Sequence, residues 1–168
     1  MTNSGKIFEH DFKESCKRQE IFALRINDTY YTAKQYDPKA FVPQQVCDYI
    51  LHYNGTLYMT ELKTTDKKYM TIERDKAGMI KKHQYEQMAR NENVNEHGLF
   101  ILQFLRGTED EMTYRIKIAD FMNFLDNTNK CSINNLDVVQ NGGLSMEWVL
   151  GRTRRHYNIK GLLDKLEY

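Results

Sequence analysis

Residues 46–64 hold two apolar, strand-like runs, VCDYILHY (46–53) and TLYMTELKT (56–64), separated only by Asn54-Gly55. Asn-Gly between such runs is the strongest short-range hairpin signal, because a two-residue turn of this kind needs positive φ at both positions. Both arms carry Tyr among large aliphatic residues, so both read as largely buried. On the second arm, Glu61 and Lys63 share one face, while Leu62 points the other way into the core, since strand side chains alternate. Asp48 lies on the first arm, across the turn. Two antiparallel strands of this length place it near Glu61.

The remaining pattern surrounds this hairpin with helices and further strands. Residues 5–20 read as a helix with Ser4 or Asn3 as cap and Ile7, Phe8, Phe12 and Cys16 as its apolar stripe. IFALRIN (21–27) reads as a short strand. Residues 28–44 hold both prolines and no clean period, which suits a loop or a projecting hairpin. An irregular basic stretch runs to Gly78, and a helix is expected from about Met79 to Asn91. GLFILQFL (98–105) is a continuous apolar run and reads as a buried strand. MTYRIKI (112–118) is its hairpin partner, across a turn containing Glu109-Asp110-Glu111, and IADFMNFLDN (118–127) is a helix. Asn141-Gly142-Gly143 breaks the tail, residues 128–156 carry no clear pattern, and Tyr157–Leu166 suits a last helix or docking segment. The order predicts one α/β domain over residues 1–168, a mixed central sheet flanked by helices.

Composition narrows the class. The three cysteines, Cys16, Cys47 and Cys131, form no CxxC pair and no disulfide framework, so a reducing cytoplasm is the expected compartment. The N-terminal run MTNSGKIFEHDFKESCK has no apolar core for a signal peptide. No segment approaches the roughly 20 apolar residues that span a bilayer, so no membrane partner is expected. Net charge is only +1, but Lys and Arg cluster at Lys67-Lys68, Lys81-Lys82 and Arg152-Arg154-Arg155. That distribution is compatible with a positive face beside an acidic pocket.

Asp48, Glu61 and Lys63 are the residues that suggest chemistry. Two carboxylates, a backbone carbonyl and waters make a hard-oxygen site suited to Mg²⁺, with Mn²⁺ able to substitute. A lysine beside them can stabilise phosphorane charge or orient the attacking water, a set of functions that fits phosphodiester hydrolysis. An isolated E-x-K also fits an exposed hairpin with solvated charges. Charges at the ends of buried strands, however, need a partner or a metal.

Cys47-Asp48 followed by Glu61-Leu62-Lys63 resembles the PD-(D/E)xK nucleases, with Cys47 where the motif has Pro. Gly5-Lys6-Ile7-Phe8-Glu9 resembles the first-helix signature of the RecU type of Holliday junction resolvase and its archaeal counterparts. His83-Gln84-Tyr85-Glu86-Gln87-Met88 is similar to the RecU segment that supplies a Gln beside the active site. The likeness covers about residues 5–125, with a fainter echo at Tyr157–Asp164. It implies a restriction-endonuclease-like fold and a metal-dependent endonuclease of DNA recombination and repair that resolves four-way junctions in a bacterial or phage-infected cell. In that reading Asp48 and Glu61 bind Mg²⁺ and Glu9 adds an acidic ligand. Lys63 stabilises the transition state, and Gln84 orients the nucleophile or a phosphate. The segment from Tyr30 to Pro43 matches the family's projecting stalk, where Lys34 and Lys39 would meet DNA. Lys67, Lys68, Lys81 and Lys82 would track a backbone beside the site. Arg25 would contact a phosphate or pair with an acid. Paired nicks imply a homodimer, for which Phe22, Phe100, Phe104 and Trp148 are candidates, as they are for the core. Two other readings stand: a PD-(D/E)xK nuclease with a different DNA substrate, and a DNA-binding or inhibitory protein that keeps the fold without cutting.

Overall fold

Asn54 and Gly55 both have positive φ, 49° and 79°, as a type I′ hairpin turn requires. The turn joins strands β2 (Tyr49–Tyr53) and β3 (Thr56–Thr65), which pair antiparallel from Tyr53↔Thr56 to Tyr49↔Thr60. The computed structural model describes residues 4–26, 45–93, 96–105 and 112–166. The expected stalk at 28–44 and the acidic turn at 109–111 lie outside the described residues.

Around the hairpin, a six-stranded sheet runs in the order β1-β2-β3-β5-β6-β8. Its other strands are β1 (Phe22–Arg25), β5 (Glu96–Phe104), β6 (Met112–Lys117) and β8 (Leu144–Ser145). Only the β3–β5 pair is parallel. A parallel pair needs a crossover, which here contains strand β4 (Tyr69–Thr71) and helix α2 (Lys82–Arg90). β4 leaves the main sheet and pairs with β7 (Ser132–Asn134).

Both faces of the sheet are covered. Helix α1 (Ser4–Arg18) and helix α5 (Ile159–Asp164) bury Phe8, Phe12, Cys16, Ile159 and Leu162 against Tyr49, Leu51, Leu62, Leu99 and Ile101. On the other face, α2 and α3 (Ile118–Asn127) bury Tyr85, Met88, Phe121 and Phe124 against Phe100, Leu102 and Ile116. β5 is therefore buried on both sides, which explains its unbroken apolar run. Phe100 and Phe104 are fully buried, so they serve the core and not an interface; Phe22 is exposed.

The second expected helix begins three residues later than its sequence pattern suggests. Met79 and Ile80 donate their N–H groups to Thr71 O at 2.9 and 3.0 Å, and Ile80 bridges Ile72. Pairing keeps this stretch extended through Lys81, at φ −83° and ψ 139°, so the helix starts only at Lys82. The unassigned tail holds β7, helix α4 (Asn135–Gln140), β8, and a separate hairpin of β9 (Trp148–Leu150) with β10 (Arg155–Tyr157). No helix among the described residues is long and apolar enough to cross a membrane.

Candidate active site

Asp48 sits one residue beyond the last β2–β3 pair, Tyr49↔Thr60, close enough to Glu61 for their charges to interact. Its backbone is held on both sides: its N–H donates to Thr60 O at 3.1 Å, and its C=O accepts from Ile26 N–H at 2.9 Å. The carboxylate then takes the place of the next ladder bond, with Oδ2 accepting from Leu62 N–H at 2.8 Å. Asp48 is thus a strand terminator that satisfies β3's backbone with a side chain. Cys47, at the position of the motif's Pro, is buried with its thiol against Tyr49 O at 3.4 Å. Burial raises that thiol's pKa to about 12, with the charges of Glu61 and Asp48 adding, so it is an inert packing group.

Glu61 lies on the face covered by α2 and is 1% exposed, so the solvated hairpin is not what forms. Its Oε1 accepts from Gln84 Nε2 at 2.7 Å and pairs with Lys63 Nζ. Its Oε2 is buried with no hydrogen-bond partner. Burial pushes the Glu61 carboxyl up to about 7; Lys63 opposes this, the charge of Asp48 adds to it, and the Gln84 bond opposes it. Lys63, two residues on, shares the face as strand alternation requires, and its side chain is 17% exposed.

Gln84 occupies the third position of α2. Its Oε1 accepts from Lys81 N–H at 3.4 Å, which directs Nε2 at Glu61. The helix start therefore fixes which end of the amide faces the carboxylate. Beside it, His83 Nε2 lies 3.2 Å from Gln45 O. Gln45 in turn donates from Nε2 to Ile26 O at 3.0 Å and to Cys47 O at 2.8 Å. Nothing local in the sequence marks Gln45, because two of its partners lie 19 and 38 residues away.

Glu9 projects from α1 and pairs through Oε2 with Arg25 Nη2. Burial raises the Glu9 pKa; Arg25 opposes the shift and the charge of Asp48 adds to it. Tyr49 OH, reaching Glu9 O at 3.3 Å, ties this turn of α1 to β2. The structure thus joins Glu61, Lys63 and Gln84 by direct contacts, brings Asp48 within electrostatic reach of Glu61, and sets Glu9 with Arg25 nearby. Among the described residues, no three His, Cys, Asp or Glu side chains gather closely enough to hold a metal ion. Asp48 and Glu61 remain a two-carboxylate donor pair, and a cation would give Glu61 Oε2 the partner it lacks.

The expected DNA-facing lysines are more dispersed. Lys67 and Lys68 are exposed just after β3. Lys81 Nζ lies 3.3 Å from Glu73 Oε2, and Lys82 Nζ lies 3.8 Å from Glu86 Oε1, both at the start of the helix that carries Gln84. Lys34 and Lys39 lie outside the described residues.

Comparison with known proteins bears on the family and the fold. The family model for RecU, Recombination protein U, matches residues 5–161. No curated protein matches the chain at a significant level. Among solved structures, Hjc of Archaeoglobus fulgidus, a Holliday junction resolvase from an archaeal hyperthermophile, superposes with a TM-score of 0.52 at 18% identity. The match covers 84% of this chain and 95% of that one, and it shows that the two share the restriction-endonuclease-like fold.

Proposed function

The chain belongs to the RecU family, and on that premise we propose that it is a Holliday junction resolvase, an endonuclease that hydrolyses phosphodiesters in four-way DNA junctions. The observation that carries the reading is Glu61: a buried carboxylate within electrostatic reach of Asp48, one oxygen held by Lys63 and Gln84 and the other without a partner.

Family membership implies a divalent metal. Asp48 and Glu61 would hold it, with Glu9 assisting directly or through water, and their hard oxygens favour Mg²⁺ with Mn²⁺ as substitute. When bound, it supplies neutralisation of the scissile phosphate and a more acidic water. Lys63 places its ammonium against the same carboxylate and stabilises charge on the transferring phosphoryl group. Gln84 keeps Glu61 in one orientation and lines up the water or a phosphate oxygen. Arg25, paired to Glu9, and the lysines at 67, 68, 81 and 82 supply phosphate contacts; residues 28–44, with Lys34 and Lys39, would enter the junction. Resolution needs matched nicks in two strands, which a two-fold homodimer supplies.

The test is cleavage of a labelled four-way junction and its matching linear duplex, with Mg²⁺ and with EDTA, beside Asp48→Asn. Paired nicks on the junction alone, lost with EDTA and in the variant, are expected. Equal cutting of duplex would keep the hydrolytic site and remove the junction preference. Binding without cutting in any divalent metal would leave a DNA-binding protein.

A further inference from the structure

The β9–β10 hairpin takes no part in the site described above, yet it is held with care. Tyr157 is buried, makes an edge-on contact with Phe8 at 5.5 Å between centroids, and accepts at its hydroxyl from Gln103 Nε2 at 2.6 Å. Its N–H donates to Ser15 Oγ at 2.9 Å, and its C=O accepts from Gln19 Nε2 at 2.7 Å. Asp11, 1% exposed, spends its carboxylate on the same hairpin: Oδ2 accepts from Arg155 N–H at 3.3 Å, and Oδ1 lies 3.5 Å from Arg154 Nη1. The Arg155 guanidinium sits 5.4 Å over the Trp148 ring. The turn closes with Gly151 N–H on Arg154 O at 2.8 Å. A Cβ at Gly151 would come within 2.4 Å of His156 Nε2, so the tip is built tight.

These contacts also set a direction. Arg155 meets α1 at Asp11 and Tyr157 meets it at Ser15, so β10 runs alongside α1 in the same sense. The tip, Arg152-Thr153-Arg154, therefore lies toward the end of α1 that carries Lys6 and Glu9. Arg152 is exposed, and the Arg154 side chain is 47% exposed. A tight turn that presents the exposed Arg152 and, beside Asp11, the half-exposed Arg154 suits phosphate oxygens, which the planar guanidinium fork binds through charge-assisted hydrogen bonds.

We propose that the β9–β10 tip, through Arg152 and Arg154, grips the phosphate backbone of a duplex arm beside the cut site. The contact is to backbone, so it adds affinity without sequence preference. This rests on the nuclease reading above, and the two fail separately.

The experiment measures equilibrium binding of the full chain to a four-way junction over a salt series, without divalent metal, for Arg152→Ala, Arg154→Ala and the pair. Arg154→Lys keeps a cation beside Asp11 and controls for folding, together with circular dichroism of each variant. Each lost arginine should weaken binding on the order of tenfold near 0.1 M salt and lower the slope of log K against log salt by about 1. Single-turnover cleavage at saturating protein should stay at the wild-type rate. Folded variants with an unchanged slope, from a wild type that still cuts, overturn this inference alone. The same slope change in a wild type that binds but never cuts keeps the surface and removes the nuclease. A wild type that binds no DNA overturns both.

Discussion

The side-chain amide of Gln84 donates to Oε1 of Glu61 at 2.7 Å, while its own oxygen is taken by the Lys81 N–H. A group of this kind acts on chemistry by orienting a partner, and losing it typically costs about 10–100-fold in activity. Gln84→Met keeps the volume and removes both bonds. Its expected effect is a cleavage rate lower by that factor with junction affinity unchanged, and about 1 kcal/mol less stability in urea. A wild-type rate in a folded Gln84→Met protein would show that Glu61 is oriented well enough without it.

Glu61 makes the metal-free protein sensitive to pH in a predictable direction. Its carboxyl titrates near 4.5 when unfolded and near 7 in the fold, chiefly because it is buried. Between those values the folded state binds more protons, so stability present below about pH 4.5 is lost as pH rises through 7, on the order of 3 kcal/mol. Melting temperature in EDTA should fall across that window, and Glu61→Gln should flatten this part of the profile. Parallel wild-type and variant profiles would contradict the assignment.

A bound divalent cation reverses that cost, because it favours the ionised carboxylate. Mg²⁺ should raise the melting temperature more at pH 8 than at pH 5.5. Asp48→Asn should lose most of the rise at pH 8. This readout is independent of cleavage, so it separates a failed metal site from a failed reaction.

Gly55 has φ of 79°, and nothing lies within 4 Å of where a Cβ would stand. Gly55→Ala therefore meets backbone strain alone, about 1–2 kcal/mol. Urea denaturation should show that loss with an unchanged slope, and cleavage per folded molecule should be unaffected.

What could be read before the structure was local. Asn54-Gly55 marked the hairpin, and with it the pairing that brings Asp48 near Glu61. The stripe in IADFMNFLDN matched α3 residue for residue. The end of α1 was less visible, because Glu20 adopts φ 57° where a glycine would have signalled the stop. The parallel β3–β5 pair, the β4–β7 ribbon and the β9–β10 hairpin were hidden for a different reason. Each joins segments, or docks on one, far away in the chain, and strands as short as Ser132–Asn134 carry too few residues to show a period. At the site, Asp48, Glu61 and Lys63 followed from strand geometry, and Gln84 from resemblance. The Gln45 contacts and the Glu9–Arg25 pair depend on tertiary placement.

The bond from Gln45 Nε2 to Ile26 O has a topological consequence. Ile26 and Gln45, the described residues that flank the interval, already touch, and β1 pairs with β2 across it. Doubling the length of a chain segment closed in this way adds only about 0.6 kcal/mol of closure cost. Length can therefore change between Ile26 and Gln45 while Asp48, held between Ile26 N–H and Thr60 O, stays where it is.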